Sequence, residues 1–139
     1  MSGEECVFCE LMSSGQAQWV ARGVDAVAFL PLPAGSLAPG HTLVVPRVHC
    51  VGVQDADSQV LHATIDLVQR VSRAMAEALG APGVVVLNAS GAYSGQSVDH
   101  LHFHVVPCWA DDEATFWPGD RSVHSLAGEP CALLSEALS

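Results

Sequence analysis

Three histidines alternate with apolar residues in the segment 100–104, which reads His-Leu-His-Phe-His. If this segment is an extended strand, successive side chains point to opposite faces of the sheet, so the three imidazoles share one face. Imidazole titrates near neutral pH and can act as a nucleophile, an acid, a base or a metal ligand. Three neighbouring imidazoles are difficult to satisfy as purely structural groups. The spacing therefore predicts a face that binds or reacts.

One alternative is that all three imidazoles bind a single catalytic metal ion. At about 3.3 Å per residue, side chains at positions i and i+4 of a strand lie about 13 Å apart along it. That separation is too large for both to bind one ion, whose ligands lie about 2.0–2.3 Å from the metal. We therefore expect at most one or two of these histidines to bind a metal.

A second reactive pattern lies near the start of the chain, where Cys6 and Cys9 are separated by two residues. Two such thiols can bind one metal ion from a single turn. The same spacing also occurs in redox pairs and by chance, so a metal site needs a second pair of ligands. The other cysteines, Cys50, Cys108 and Cys131, are predicted to be ordinary thiols.

The elements that must position these residues follow from hydrophobic patterning. Short apolar segments predict strands over 18–22, 25–30, 41–46 and 84–88, followed by the histidine strand. Prolines and glycines predict a loop over 31–40. Apolar residues recurring every three or four positions predict one long helix from Asp55 to Gly80, with Asp55 or Asp57 capping its start. His62 lies in this helix and is predicted to be an exposed bystander.

Short helices are predicted from Cys6 to about Met12 and over 131–138. Strands with hairpin-type connections and one large helix predict an α+β fold built on an antiparallel sheet. At 139 residues the chain is expected to form a single domain over 1–139, with a core over about 6–109 and a C-terminal tail over 110–139.

The composition restricts the partners of the chain. Fifteen acidic residues stand against five basic ones, and the formal net charge of −10 argues against binding a nucleic acid polymer. No run of 18 apolar residues predicts a membrane-spanning helix, and the first residues are acidic rather than a basic leader. The five cysteines form no dense disulfide framework. We interpret the chain as a cytoplasmic protein with a small-molecule ligand and no membrane partner.

The segment 100–106 resembles the histidine triad motif, in which three histidines alternate with apolar residues and two apolar residues follow. Other segments resemble the same family in the same order: Cys6-x-x-Cys9, 39–46, Asn88 and 95–98. The resemblance covers about residues 6–109. It implies a sheet of about five strands with one long helix and a short N-terminal helix, a homodimer in which two antiparallel sheets join, and nucleotide binding beside the triad.

The resemblance also implies transfer or hydrolysis at the α-phosphate of a nucleotide, of the phosphoramidate or dinucleoside polyphosphate type. Carried over to this chain, His102 is the nucleophile that forms a nucleotidyl-histidine intermediate, and water then releases the nucleoside monophosphate. His104, Gln96 and Ser97 are expected to assist at the phosphate. The residues expected around the nucleotide are Phe29, Leu30, Asn88, Gly95, Gln96, Ser97, His102 and His104.

In zinc-bearing members of the family the metal site resembles Cys2His2. The matching ligands here are Cys6, Cys9, His49 and His100, with His41 as the alternative to His49. Four ligands of this kind form a closed tetrahedral site. We therefore expect a structural zinc ion that holds the N-terminal segment on the sheet and does not activate water.

The loop after the predicted strand 25–30 departs from the family pattern. Family members usually carry an Asp there that binds the ribose hydroxyls, whereas this chain has Pro31 and a longer loop. Cys108 and Trp109 also follow the triad strand where an Arg is common. Two alternatives to an ordinary hydrolase stay open. They are a nucleotide-binding regulatory module with slow or no turnover, and a specialised member acting on an unusual phosphorylated metabolite.

Overall fold

A computed structural model describes residues 6–139. In chain order its elements are α1 (Val7–Ser14), β1 (Trp19–Arg22), β2 (Ala26–Phe29), β3 (Thr42–Pro46), α2 (Ser58–Leu79), β4 (Gly83–Leu87), β5 (Phe103–Cys108) and α3 (Pro130–Leu138). The strands form one antiparallel sheet in the order β1-β2-β3-β5-β4. The predicted α+β fold, with five strands, one long helix and a short N-terminal helix, is confirmed.

Helix α2 packs on one face of the sheet. At its start the carboxylate of Asp57 accepts the N–H of Gln59, and at its end Gly80 adopts a left-handed conformation with φ of 66°. Asp55, the other predicted cap, instead accepts the N–H groups of Val51 and Gly52 in the preceding loop. The buried helix residues pack against apolar residues of the sheet: Leu67, Val68, Val71 and Met75 against Val44, Leu101, Phe103 and Val105.

The apolar stripe predicted for α2 is only partly buried. Ile65 and Leu79 belong to that stripe but are 46% and 44% exposed. Thr64 takes a fully buried position instead, which it can do because its hydroxyl donates to the carbonyl of Val60 at 2.7 Å. His62 is exposed on α2, as predicted.

The histidine segment is a strand only from Phe103 onward, so the prediction of a strand from His100 was wrong at its start. The backbone before Phe103 has other partners. The N–H of Leu101 donates to the carbonyl of Cys50 at 2.7 Å, and the carbonyl of His102 accepts the side-chain amide of Asn88 at 2.9 Å. The predicted alternation still holds, because Leu101 and Phe103 pack under α2 while the imidazoles occupy the opposite face.

Helix α1 covers that opposite face. It begins after Cys6, whose Sγ accepts the N–H of Cys9 at 3.4 Å, and it ends at Gly15, where φ is 72°. Its buried Phe8 joins an apolar cluster with residues of β2 and β3: Val27, Phe29, Leu43 and Val45. Helix α1 therefore holds two cysteines and an aromatic ring above the imidazoles.

The segment after residue 109 lies outside both apolar clusters. Residues 110–139 are exposed except for the half-buried Phe116. The predicted final helix is present as α3, with Leu133, Leu134 and Leu138 on its surface. Among residues 6–139, no helix combines the length and the hydropathy needed to cross a membrane.

Candidate active site and metal centre

His102 is buried, with 4% of its surface exposed, and the backbone orients its ring. Its Nδ1 lies 2.8 Å from the carbonyl oxygen of His100. Since a carbonyl can only accept, Nδ1 carries the proton and Nε2 of the neutral ring carries the lone pair. The ring of Phe8 packs against it edge-on at a centroid distance of 5.2 Å. His102 thus has a defined tautomer in which Nε2 can act as a nucleophile.

His104 lies next to His102 on the same face, with 5.1 Å between the ring centroids. Its Nδ1 is 3.0 Å from Nε2 of His41, a buried residue at the start of β3. Burial lowers the pKa of His104 to about 4, with further lowering from charge on His102 and His41. Burial also lowers the pKa of His41. Both rings are therefore neutral at pH 7, and each has one N–H to donate.

The side chain of Gln96 holds together the loop that precedes the triad. Its Nε2 donates to the carbonyls of Val51 at 2.6 Å and Val98 at 2.9 Å, while its Oε1 accepts the N–H of Gly91 at 2.8 Å. Both amide protons are used within the loop. Gly95 has a φ of 94°, which glycine adopts without strain, and the following Ser97 is exposed. Sequence reasoning did not foresee this loop-holding role of Gln96.

Asn88 also contacts the protein itself through both ends of its amide. Its Nδ2 donates to the carbonyl of His102 at 2.9 Å, and its Oδ1 accepts the hydroxyl of Ser90 at 2.8 Å. The contact predicted from the sequence was with the nucleotide. In the structure Asn88 fixes the backbone that carries the central histidine, and its contact with a nucleotide stays a prediction.

Phe29 and Leu30, both predicted to line the nucleotide site, lie on opposite faces of the sheet. Phe29 is buried on the imidazole face, with ring centroids 5.5 Å from Phe8 and 5.6 Å from Trp19. Leu30 lines an apolar groove together with residues of α2, including Met75. The structure therefore does not bring Leu30 together with the imidazoles.

Phe8 is a site residue that sequence reasoning missed. Its ring packs edge-on against His100 and His102, at centroid distances of 5.8 and 5.2 Å. The sequence did contain a signal, which is the position of Phe8 between Cys6 and Cys9. If both cysteines bind a metal together with His100, the aromatic ring between them must lie close to the histidines.

The four predicted metal ligands come together between α1 and the sheet. One ligand atom from each of them lies within 4.8 Å of the others: Cys6, Cys9, His49 and His100. The Nε2 of His100 lies 2.8 Å from the carbonyl of Pro46, so Nε2 carries the proton and the bare Nδ1 faces the cluster. The alternative ligand His41 lies against His104 instead.

Four of the six distances between these ligand atoms match a tetrahedral zinc ion. The two Nδ1 atoms are 3.2 Å apart, and Nδ1 of His100 lies 3.3 Å from Sγ of Cys6 and 3.6 Å from Sγ of Cys9, which is 3.5 Å from Nδ1 of His49. Zinc bonds of about 2.05 Å to nitrogen and about 2.3 Å to sulfur give tetrahedral edges of about 3.3 Å between nitrogens and about 3.5 Å between sulfur and nitrogen. Burial, together with the neighbouring Cys6, raises the pKa of Cys9 to about 11. Two cysteine sulfurs and two imidazole nitrogens are a donor set that zinc prefers, so these residues fit zinc.

Comparison with known proteins places the chain in context. The HIT domain family model matches residues 16–110. An uncharacterised HIT-like protein of Saccharolobus solfataricus is 36% identical over 108 residues, which cover 77% of this chain and 76% of the relative. An adenosine 5′-monophosphoramidase of Schizosaccharomyces pombe is 28% identical, with 73% of each chain covered. The crystal structure of a zinc-bound histidine triad family protein from Mycobacterium smegmatis superposes with a TM-score of 0.76, at 30% identity and 83% coverage of both chains.

Proposed function

The chain belongs to the HIT domain family, and from this premise we propose that it cleaves nucleotides at the α-phosphate. The substrate is of the phosphoramidate or dinucleoside polyphosphate type. The Nε2 of His102 attacks the α-phosphorus and forms an N–P bond as the bond to the leaving group breaks. Water then hydrolyses the nucleotidyl-histidine and releases the nucleoside monophosphate. The observation that carries this proposal is the 2.8 Å contact of His102 Nδ1 with a backbone carbonyl, which makes Nε2 the lone-pair nitrogen of the neutral ring.

The groups around His102 match the charge changes of this reaction. Positive charge develops on the ring as the N–P bond forms, and the carbonyl of His100 stabilises it through the Nδ1 proton. Neutral His104 donates its Nε2 proton toward the phosphoryl group or the departing atom. The exposed hydroxyl of Ser97 approaches the phosphate from the loop that Gln96 holds in place. These donors are neutral, so phosphate recognition here does not depend on lysine or arginine.

We also propose that Cys6, Cys9, His49 and His100 hold a structural zinc ion. When bound, zinc neutralises the two thiolates and joins α1 to the sheet. Through α1 the site fixes Phe8, and Phe8 packs against the ring of His102. The metal centre in this proposal supports the shape of the active site and takes part in no chemical step.

The predicted single domain over 1–139 and the predicted cytoplasmic location stay predictions.

The test of the reaction is a substrate panel. The protein is incubated with adenosine 5′-phosphoramidate and with a diadenosine polyphosphate, and adenosine monophosphate is measured by chromatography. We expect release of the monophosphate and, after rapid quenching, a nucleotidyl adduct on the peptide that contains His102. Failure to turn over or bind any nucleotide contradicts the proposal.

A second candidate function is a nucleotide-binding module with slow or no turnover. The observation that favours it is the loop 31–40, which contains no carboxylate to bind ribose hydroxyls. Calorimetry with adenosine monophosphate separates the two candidates. Tight binding without measurable turnover of the panel supports the module, whereas rapid steady-state turnover excludes it.

We further propose that the protein is a homodimer joined through β4. This strand lies at the edge of the sheet, so the backbone groups on its outer side have no strand partner within residues 6–139. Val86 of this strand is 43% exposed, and Ile65 of α2 is exposed as well. An edge strand with apolar side chains is suited to antiparallel pairing with a second copy.

Substitution Val86→Arg is expected to shift the protein from dimer to monomer, because it places a charged side chain on the edge strand that this interface uses. The matched control is Val24→Arg in the turn after β1, where Val24 is 89% exposed. Light scattering coupled to size-exclusion chromatography measures the mass at equal concentrations. A dimer that persists in Val86→Arg, or a monomeric unsubstituted protein, contradicts this interface.

A further inference from the structure

His41 is a buried histidine that the proposed reaction does not use. Only 1% of its surface is exposed, and its ring lies between two partners. On one side its Nδ1 is 3.0 Å from the backbone nitrogen of Leu37. On the other side its Nε2 is 3.0 Å from Nδ1 of His104.

The contact with Leu37 decides where His41 carries its proton. A backbone N–H can only donate, so Nδ1 of His41 is bare and accepts. The neutral ring must then carry its proton on Nε2, and this proton points at Nδ1 of His104. That atom must be bare in turn, which leaves Nε2 as the protonated nitrogen of His104. One backbone N–H thereby determines the tautomers of two rings.

The turn before β3 keeps this N–H in place. The N–H of His41 donates to the carbonyl of Ala38 at 3.0 Å, and the hydroxyl of Ser36 donates to the same carbonyl at 3.0 Å. Gly40 has a φ of 87°, and a side chain there would lie 2.6 Å from Leu79. These contacts fold the segment back so that Leu37 reaches the ring of His41 from four residues away.

We propose that His41 is a positioning residue that fixes His104 as its Nε2–H tautomer, with the loop 31–40 acting on the active site through Leu37. The catalytic consequence rests on the proposed function, because it requires His104 to present a proton to the phosphoryl group. The tautomer assignment does not depend on it. The lowered pKa values of both rings agree with neutral tautomers. In the Nδ1–H tautomer of His104, the lone pair of Nε2 would face the phosphate oxygens and repel them.

Two substitutions at one position test this. His41→Phe removes the donor to His104 and keeps an aromatic ring. His41→Gln keeps an amide N–H that reaches toward His104 and a carbonyl that accepts the N–H of Leu37. Nitrogen-15 NMR of imidazole-labelled protein distinguishes a protonated ring nitrogen from a bare one, and steady-state kinetics with adenosine 5′-phosphoramidate gives kcat and KM separately. His62→Phe, at the exposed histidine of α2, is the control.

In the unsubstituted protein we expect a bare Nδ1 and a protonated Nε2 for His104. In His41→Phe we expect both tautomers and a kcat lower by about 10-fold or more, with KM within about twofold. His41→Gln is expected to restore the single tautomer and most of kcat, whereas His62→Phe changes neither readout.

Three results would overturn the assignment of the tautomer to His41: a protonated Nδ1 on His104 in the unsubstituted protein, an unchanged tautomer in His41→Phe, or a folded His41→Gln that restores neither readout. If no nucleotide is turned over at all, the proposed function fails, while the NMR result still decides the tautomer assignment. If the tautomer changes but kcat does not, the positioning role is wrong and the proposed reaction stands.

Discussion

Replacing His102 with alanine is expected to reduce kcat/KM for adenosine 5′-phosphoramidate by more than about 10³-fold. The substitution removes the only group that forms a bond to phosphorus in the proposed reaction, and no neighbouring ring can replace it. His104 lies with its ring centroid 5.1 Å away, and its Nδ1 faces His41. The measurements are release of the monophosphate and the loss of the nucleotidyl adduct in mass spectra of quenched protein.

Loss of activity must be separated from loss of folding, because His102 is buried against Phe8. His62→Ala is the matched control, since His62 is exposed on α2 and lies outside the site. His102→Gly with added imidazole gives a second arm, in which free imidazole can occupy the space of the missing ring and restore part of the turnover. Equal rates for His102→Ala and the unsubstituted protein would remove His102 from the mechanism.

Replacing Cys9 with serine is expected to abolish zinc binding and to lower the free energy of unfolding by several kcal/mol, or more than about 10 °C in Tm. A hydroxyl is a poor substitute for a thiolate at a zinc site, and in the proposed site the metal holds α1 on the sheet. Zinc content of purified protein by atomic emission and thermal unfolding by circular dichroism are the measurements. We expect about one zinc ion per chain before the substitution and close to none after it.

Cys108→Ser is the control for this change. Cys108 is half-buried like Cys9, but it lies in β5 outside the cluster, where its Sγ donates to the carbonyl of Val106 at 3.6 Å. This variant should keep its zinc and unfold within a few degrees of the unsubstituted protein. Full zinc content in Cys9→Ser would show that Cys9 is no ligand, and zinc loss in Cys108→Ser would point to a different site.

Most of the fold was predicted from the regular spacing of apolar residues along the sequence. The helix over α2 follows from apolar residues at three- and four-residue steps, and Asp57 and Gly80 mark its ends as expected. The cluster of four candidate metal ligands was predicted from the family resemblance, because residue type alone does not select two histidines out of seven. The start of β5 was not, since the ladder before Phe103 is replaced by side-chain and loop partners that only the folded chain brings together.

The roles of the polar side chains were the hardest to predict. Contacts of Gln96 and Asn88 with the nucleotide stay predictions, and the structure adds that their amides bind backbone groups of the loop and of His102. A side-chain amide forms the same hydrogen bonds with a ligand as with the protein backbone. The sequence therefore does not show which of the two it contacts. His41 was considered only as a metal ligand. Its contact with His104 depends on the pairing of β3 with β5, which places Leu43 opposite His104.

The early end of the β5 ladder has a consequence for reactivity. If β3 or β4 paired with the backbone as far back as His100, a ladder N–H would compete with the Nδ1 proton of His102 for the carbonyl of His100. The imidazole could then rotate or exchange its proton between its two nitrogens. The Asn88 amide binds the carbonyl of His102, where the ladder has not yet begun. Extending β5 by two residues toward His100 would therefore weaken the orientation of the ring that the proposed reaction uses.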